Sequence, residues 1–295
     1  MLFLLEFVFE FKGVLVAMKK KIKIVVDSGC DLSNEIKKNN NIVSVPFNLI
    51  LDDKNFVDDE KLDTKKFLNY MHTAKTCKTA AASPEQFKKE FKGDEDIFVV
   101  TISSKLSGSY NSAKTALQNY FDEAGEKFIY IFDSLSASVG ETLTALKISE
   151  LYKLNFDKQK IISEVEDFIK NLSTYFILER FDNFVKNGRI NPYIAKLASF
   201  FNIKPICKGK NGIPVLAEKA QGFDNALNKL VNIICKNVIE PEKKILGITH
   251  VQCLQRAIDF KNKIKEKINF RDIIILSATG LCSTYADQNG IIMAF

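Results

Sequence analysis

The sequence predicts an α/β chain, with an amino-terminal parallel sheet followed by a second domain of α+β character. Three observations carry this. A β-branched strand, a hydroxyl-rich polar loop and a helix follow one another three times in the first half. That order recurring along a chain implies parallel strands with helices on their faces. After about Leu172 the order is lost and strand candidates meet directly through an Asn-Gly turn. The composition is ordinary for a globular protein, at 46% hydrophobic and 26% charged over 295 residues. It excludes collagen-like and largely disordered classes.

The first unit opens with Ile22-Lys23-Ile24-Val25-Val26, breaks at Asp27-Ser28-Gly29-Cys30-Asp31, and continues into a helix over Ser33 to Asn39. Ser83-Pro84 followed by Glu85-Gln86 reads as a helix start, with Ser83 as cap and proline at the first helical position, and Lys78-Thr79 falls in the loop before it. The second unit is Ile97 to Ile102, a Ser103-to-Gly108 loop and a helix over Ser109 to Tyr120. The third is Phe128 to Phe132, Asp133-Ser134-Leu135-Ser136 and a helix through about Leu154. Beyond residue 172 come a strand over Tyr175 to Leu178, a helix over Phe181 to Lys186, a helix from Asn191 to Phe201, a hairpin turning at Lys210-Asn211-Gly212, and strands at Lys244 to Ile248 and Ile273 to Leu276. The domains expected are 18–172, Rossmann-like α/β, and 173–295, α+β.

Residues 1–17 are apolar but carry Glu6, Glu10 and Lys12 and lack a basic leader, which fits neither a cleavable signal nor a membrane span. They read as an extension outside the native fold, non-native or disordered, with a peripheral anchor as the alternative. Six cysteines without a C-x-x-C pair suggest reduced thiols and a cytoplasmic compartment rather than disulfides or zinc. Forty-two basic against thirty-six acidic residues leave +6, carried by scattered lysines with no interleaved aromatics, so no nucleic-acid partner is expected.

Phosphate-loop, dinucleotide, zinc-protease and nucleophile-elbow motifs are missing from the sequence. His72 and His250 have no ligand-like neighbours; His72 reads as structural or surface. In open α/β sheets ligands bind beyond the carboxyl ends of the strands, where the three polar loops meet. Ser107 in Leu106-Ser107-Gly108 stands where a buried strand hands over to a helix, a position suited to a carboxylate or phosphate, though Ser107 or Ser104 could simply cap the helix. Nothing local singles out Thr79. Asp27 reads first as a turn cap.

Taken together, the segments resemble the DegV family of fatty-acid-binding proteins from about Ile22 to Phe295. The residues carrying the resemblance are Ile24 to Leu32, Lys78-Thr79 with Ser83 to Phe87, Ile102 to Ala113, Phe132-Asp133-Ser134 with Ala137-Ser138, Asn187-Gly188-Arg189-Ile190 and Asn202 to Ile206. The resemblance implies a two-domain DegV-like fold enclosing one long-chain fatty acid, with the tail in an apolar tunnel and the carboxylate held by a threonine and a serine, Thr79 and Ser107 here. Ser104 is a further neighbour, and Arg189 a candidate for partner docking or phosphate contact. It also implies a carrier rather than an enzyme, needing no cofactor. Such a carrier presents its acid to a separate ATP-dependent fatty acid kinase, which forms an acyl phosphate for phospholipid synthesis; transient membrane contact is a further partner reading for this chain.

The sequence departs from the family pattern in places. Thr79-Ala80-Ala81-Ala82 stands for the usual Thr-Ser-Gln-Pro, Asn187 for a glycine, and Gln221 for an arginine frequent after the hairpin. The closing segment, often Thr-His-Val-Gly-Pro-Gly, is Tyr285 to Gly290 here, so the histidine is lost and Tyr285 is its candidate replacement. The competing reading is an enzyme or sensor for a small phosphorylated metabolite bound in the serine-rich loops, with Asp27 or His250 as acid–base groups.

Overall fold

The computed structural model describes residues 21–200 and 202–295; the expectation for residues 1–17 lies outside them. The chain opens with β1 (Ile22–Asp27), α1 (Asn34–Asn40), β2 (Ile42–Val45), β3 (Asn48–Leu51), β4 (Lys54–Val57), α2 (Thr64–Met71) and β5 (Cys77–Ala80). Next come α3 (Pro84–Glu90), β6 (Asp96–Thr101), α4 (Ser109–Ala124), β7 (Ile129–Asp133), α5 (Val139–Lys153) and α6 (Lys158–Asn171). The remainder is β8 (Thr174–Ile177), α7 (Asp182–Lys186), α8 (Pro192–Ser199), β9 (Ile203–Lys210), β10 (Ile213–Gln221), α9 (Phe223–Asn237), β11 (Ile245–His250), α10 (Leu254–Lys265), β12 (Asp272–Ser277), α11 (Gly280–Ala286) and β13 (Ile291–Ala294).

The three strand–loop–helix units supply β1, β6 and β7 of a four-stranded parallel sheet, β2-β1-β6-β7, whose edge strand β2 was not read from the sequence; Val25 is level with Val43 and Val99. Its strands are apolar on both faces because both are covered. Ile24, Val26, Phe98 and Phe132 pack on Ile148 of α5 and Ile161 and Val165 of α6. Val25, Ile97 and Val99 pack on Phe87, Phe91 and Ala113 of the opposite layer. Ser83 caps α3 with a full capping box, its hydroxyl on the Gln86 amide and the Gln86 side chain back on the Ser83 amide.

The second domain is built on a mixed six-stranded sheet, β10-β9-β8-β13-β11-β12. Alternation along β8 divides its side chains: Tyr175 and Ile177 join the core under α9 and α10, while Phe176 turns to the opposite face, toward the parallel-sheet domain. β9 and β10 pair antiparallel around Asn211 and Gly212, whose φ angles of 52° and 80° make the left-handed two-residue turn the Asn-Gly pair predicts. α8 ends at Ser199, short of the predicted Phe201, because Phe200 is already extended at ψ 150°.

α5 belongs to both domains. Ten of its fifteen residues are buried, with Ala145 and Ile148 against the parallel sheet and Val139 and Leu143 against Leu276 and Ala294 of the mixed one. A Cβ on Gly247 of β11 would stand 2.2 Å from Val139 Cγ2, so glycine is what lets this helix lie directly on that strand.

Sequence reading did not anticipate the antiparallel sheet β4-β3-β5. The segment 77–80, read there as a loop, is a strand paired with β3, Thr79 level with Leu49. Cys-Lys-Thr-Ala has little β character of its own, and the pairing is imposed by β3, which buries Leu49 and Leu51.

Candidate functional site

A cavity lies between the loops after β6 and β7, the β3–β5 sheet and the inward face of the mixed sheet. Its floor is a strand row: Thr174 and Phe176, with Leu178 just past the end of β8, share one face, and Ile292 of β13 sits level with Phe176. Phe184 of α7 stacks on Phe176 with ring centroids 5.9 Å apart and leans on Tyr285 at 5.0 Å. Phe47, Ile102, Leu106, Leu135 and Leu281 complete walls that are overwhelmingly hydrocarbon.

Polar groups gather at one part of this wall. The Thr79 hydroxyl and the Tyr285 phenol are hydrogen-bonded at 2.8 Å. Burial pushes the Tyr285 phenol above its ordinary pKa, opposed by the Thr79 bond and the nearby Arg189 charge, so the ring is neutral and carries a proton to donate. Either hydroxyl can be the donor of this bond; when the phenol proton lies on Thr79, the threonine O–H is free to turn toward the cavity.

Ser107 lines the same cavity and also accepts a hydrogen bond from the Ser109 amide at 3.2 Å. Ser107 does not cap α4, whose cap position is Gly108 with no side-chain hydrogen bond; it closes a local turn just before the helix, and its single O–H remains to donate. Arg189 lines the cavity too, its guanidinium held by Nε donating to Leu106 O at 3.0 Å and by a bond to Asn187 O. Gly188, at φ 67°, provides the left-handed step that turns Arg189 back after α7. Asn187, where the family pattern has glycine, donates through its amide to Cys77 O at 3.2 Å and so ties this turn to the strand bearing Thr79.

Thr79, Ser107, Arg189 and Tyr285 therefore converge on one cavity. Ser104 is not in its lining; its amide donates to Asp133 Oδ1 at 3.0 Å in the loop behind. Asp27 is fully buried, with Oδ1 on the Gly29 amide at 2.9 Å and Oδ2 on the Ile102 amide at 3.0 Å and the Ser109 hydroxyl at 2.5 Å. Burial pushes its carboxyl up to about 6. His250 is buried outside the cavity, accepts from the Cys253 amide at 3.3 Å, and is held below the ordinary histidine pKa by burial. His72 pairs with Asp287 at 2.5 Å, joining α2 to the end of α11. Among the described residues no cluster of His, Cys, Asp and Glu could hold a metal, and no helix is long and apolar enough to cross a membrane.

Two features were missed in the sequence. The aromatic column Phe176–Phe184–Tyr285 joins three separate elements, and no local signal announces it. The placement of α11 depends on Asp58, which accepts the Gly280 and Leu281 amides at 2.7 and 2.9 Å from more than 220 residues away, while Asp31 accepts the Thr279 amide at 2.7 Å. These carboxylates satisfy the orphan donors of the helix that presents Tyr285.

A family model described as uncharacterised protein of the DegV family matches residues 21–294. A DegV domain-containing protein of Streptococcus gordonii is 32% identical over 277 residues, covering 92% of this chain and 98% of that protein. Among solved structures, a DegV family protein from Ruminococcus gnavus, described with vaccenic acid, is 34% identical with TM-score 0.87, covering 93% of this chain and 99% of that one. The Streptococcus pneumoniae Fatty Acid Kinase (Fak) B3 protein, loaded with linoleic acid, is 30% identical with TM-score 0.86 and the same coverages. With the family model spanning nearly every described residue and these structures matching over 93% of the chain, this chain belongs to the DegV family.

Proposed function

We propose that this protein binds one long-chain fatty acid, with the carboxylate received by Thr79 and Ser107 and the tail laid along the apolar floor of the cavity. The observation that carries the reading is the Thr79–Tyr285 hydroxyl pair, set in a hydrocarbon wall beside Ser107 and the Arg189 charge. A carboxylate in such surroundings is matched by charge-assisted hydrogen bonds. Each methylene taken from water adds about 0.8 kcal/mol. Tyr285 stands in for the family histidine by supporting Thr79 from behind. The fatty acids held by the Ruminococcus and pneumococcal proteins support the ligand class.

The chain is the carrier, and a separate ATP-dependent kinase phosphorylates the carboxylate it presents; the kinase-named pneumococcal relative supports this partner. Arg189, exposed at the cavity wall, is the residue we assign to the incoming phosphate or the docked partner. The phosphorylated-metabolite alternative is disfavoured by the walls, since Phe47, Phe176 and Leu178 offer a polar metabolite nothing to bond. Native mass spectrometry of the purified protein, followed by denaturing extraction, tests the assignment. One acyl chain per protein is expected. A protein that is empty and also refuses added palmitate and oleate would overturn it.

A further inference from the structure

Behind the Ser107 loop lies a side chain that ligand binding alone does not account for. Glu141, in the first turn of α5, is fully buried, and no hydrogen-bond donor reaches either carboxyl oxygen. An ionised carboxylate without donors in a dry interior is among the costliest groups a fold can hold. The titratable groups facing it are Asp27 at the end of β1, Cys30 and Asp31 in the loop beyond, Asp133 at the end of β7, and Cys282 of α11; none is cationic. Burial, then repulsion from Asp27 and Asp31, holds the Glu141 carboxyl well above the usual carboxylate range.

Glu141 and Asp27 meet over Gly29. An atom at the position of the Cβ that Gly29 lacks would stand 2.8 Å from both Asp27 Oδ1 and Glu141 Oε1. The two carboxyls are not equivalent. Asp27 already accepts three hydrogen bonds, from the Gly29 and Ile102 amides and the Ser109 hydroxyl, and such donors favour its ionised form. Glu141 accepts none, so it is the member of the pair with an O–H to give. Ser109, bound to Asp27 through its hydroxyl, donates its amide to Ser107 Oγ, so the chain of contacts runs from Glu141 through Asp27 and Ser109 to the cavity wall.

We propose that Glu141 remains protonated in the folded protein and donates to Asp27, and that this one proton, shared by two carboxyls, keeps the Ser107 loop in the geometry that receives a ligand carboxylate. Glu141 is a positioning residue: it touches no ligand. Raising the pH far enough to remove the proton sets two anions against each other over Gly29 and pushes Asp27 off Ile102 and Ser109. The second half of the proposal rests on the fatty-acid reading; the proton itself does not.

The proton is read directly by infrared difference spectroscopy of the intact protein. A protonated-carboxyl C=O band that shifts in D2O, persists at neutral pH and is absent from Glu141→Gln is expected. No such band, or one unchanged by the substitution, would overturn the proposal whether or not fatty acids bind. The wild-type band needs no variant to fold. Oleate affinity measured across the alkaline range tests the positioning role. Glu141→Ala should bind about tenfold more weakly at neutral pH, while Glu141→Gln, which keeps a neutral donor, should return to within about twofold of wild type and lose the wild-type decline at high pH. An alkaline decline that survives in Glu141→Gln, or full affinity in Glu141→Ala, would sink the positioning role. Failure of every variant and of wild type to take up oleate would instead strike the fatty-acid reading, leaving the band to decide the proton.

Discussion

The hydroxyls of Thr79 and Tyr285 meet at 2.8 Å across 206 residues of sequence. One stands on a strand of the small antiparallel sheet and the other on a two-turn helix held by Asp58 and Asp31, so the contact closes the cavity wall from two independent supports.

Removing either hydroxyl tests that wall. Tyr285→Phe keeps the ring against Phe184 and deletes only the phenol oxygen, while Thr79→Ala deletes the hydroxyl proposed to receive the carboxylate. Each should weaken fatty-acid binding by roughly 1.5–3 kcal/mol, the worth of a hydrogen bond to a charged group, with the thermal transition nearly unchanged. Because the two hydroxyls share one bond, the double variant should lose less than the sum of the singles. Strictly additive losses in titration calorimetry would separate Tyr285 from the carboxylate site.

Ser107→Ala removes the other donor and also an acceptor for the Ser109 amide. A similar loss of affinity is expected, joined by destabilisation of about 0.5–1.5 kcal/mol from the lost turn hydrogen bond to the Ser109 amide. Denaturant unfolding of the ligand-free variant separates the two effects.

Gly209 sits beside Thr174 in the cavity lining, where an added Cβ would meet only that residue, at an ordinary 3.7 Å. Gly209→Leu should therefore fold and narrow the space left for the tail. Extracted acids should shift toward shorter chains; an unchanged chain-length profile would show that the tail does not pass Thr174.

Gly247→Ala makes the opposite prediction. The new Cβ would collide with Val139 Cγ2 at 2.2 Å in a packed layer. Overpacking of this kind costs about 1–3 kcal/mol, and the measurement is the shift of the denaturation midpoint.

Burial raises the Asp58 carboxyl to about 6, above its ordinary 3.8. Between those values the folded chain holds a proton that the unfolded chain has released, so this group's contribution falls as pH rises from about 4 to about 6 and is level above. The stability difference between wild type and Asp58→Asn, followed by urea unfolding at successive pH values, should move against wild type over that interval. A difference independent of pH would contradict it.

Much of the architecture could be read from the sequence because its signals are local. β1, β6 and β7 are unbroken apolar runs, Asn211-Gly212 specifies a tight hairpin, and Ser83-Pro84 marks the start of α3. What escaped is what neighbours impose. The strand at Cys77–Ala80 exists through its pairing with β3. The polar lining of the cavity could be named by residue, since Thr79, Ser107, Arg189 and Tyr285 all stand in it although Ser104 does not, but its geometry could not. Nothing near Tyr285 indicates that it reaches Thr79, and nothing near Asp58 indicates that it caps α11. The altered closing segment, read as the loss of a histidine, acquires its physical meaning only through the hydroxyl that Tyr285 brings to the same wall.

The helix common to both sheets has a bearing on how the molecule comes apart. Since Val139 and Leu143 are covered by strands that lie more than a hundred residues later, a fragment ending near residue 172 would leave those side chains in water and the first sheet with a greasy flank. The protein should consequently melt in a single cooperative step, and neither half should be obtainable alone as a stable monomer. Any opening that admits a ligand must then bend the loops and the small sheet at the rim, leaving the spine of the molecule intact.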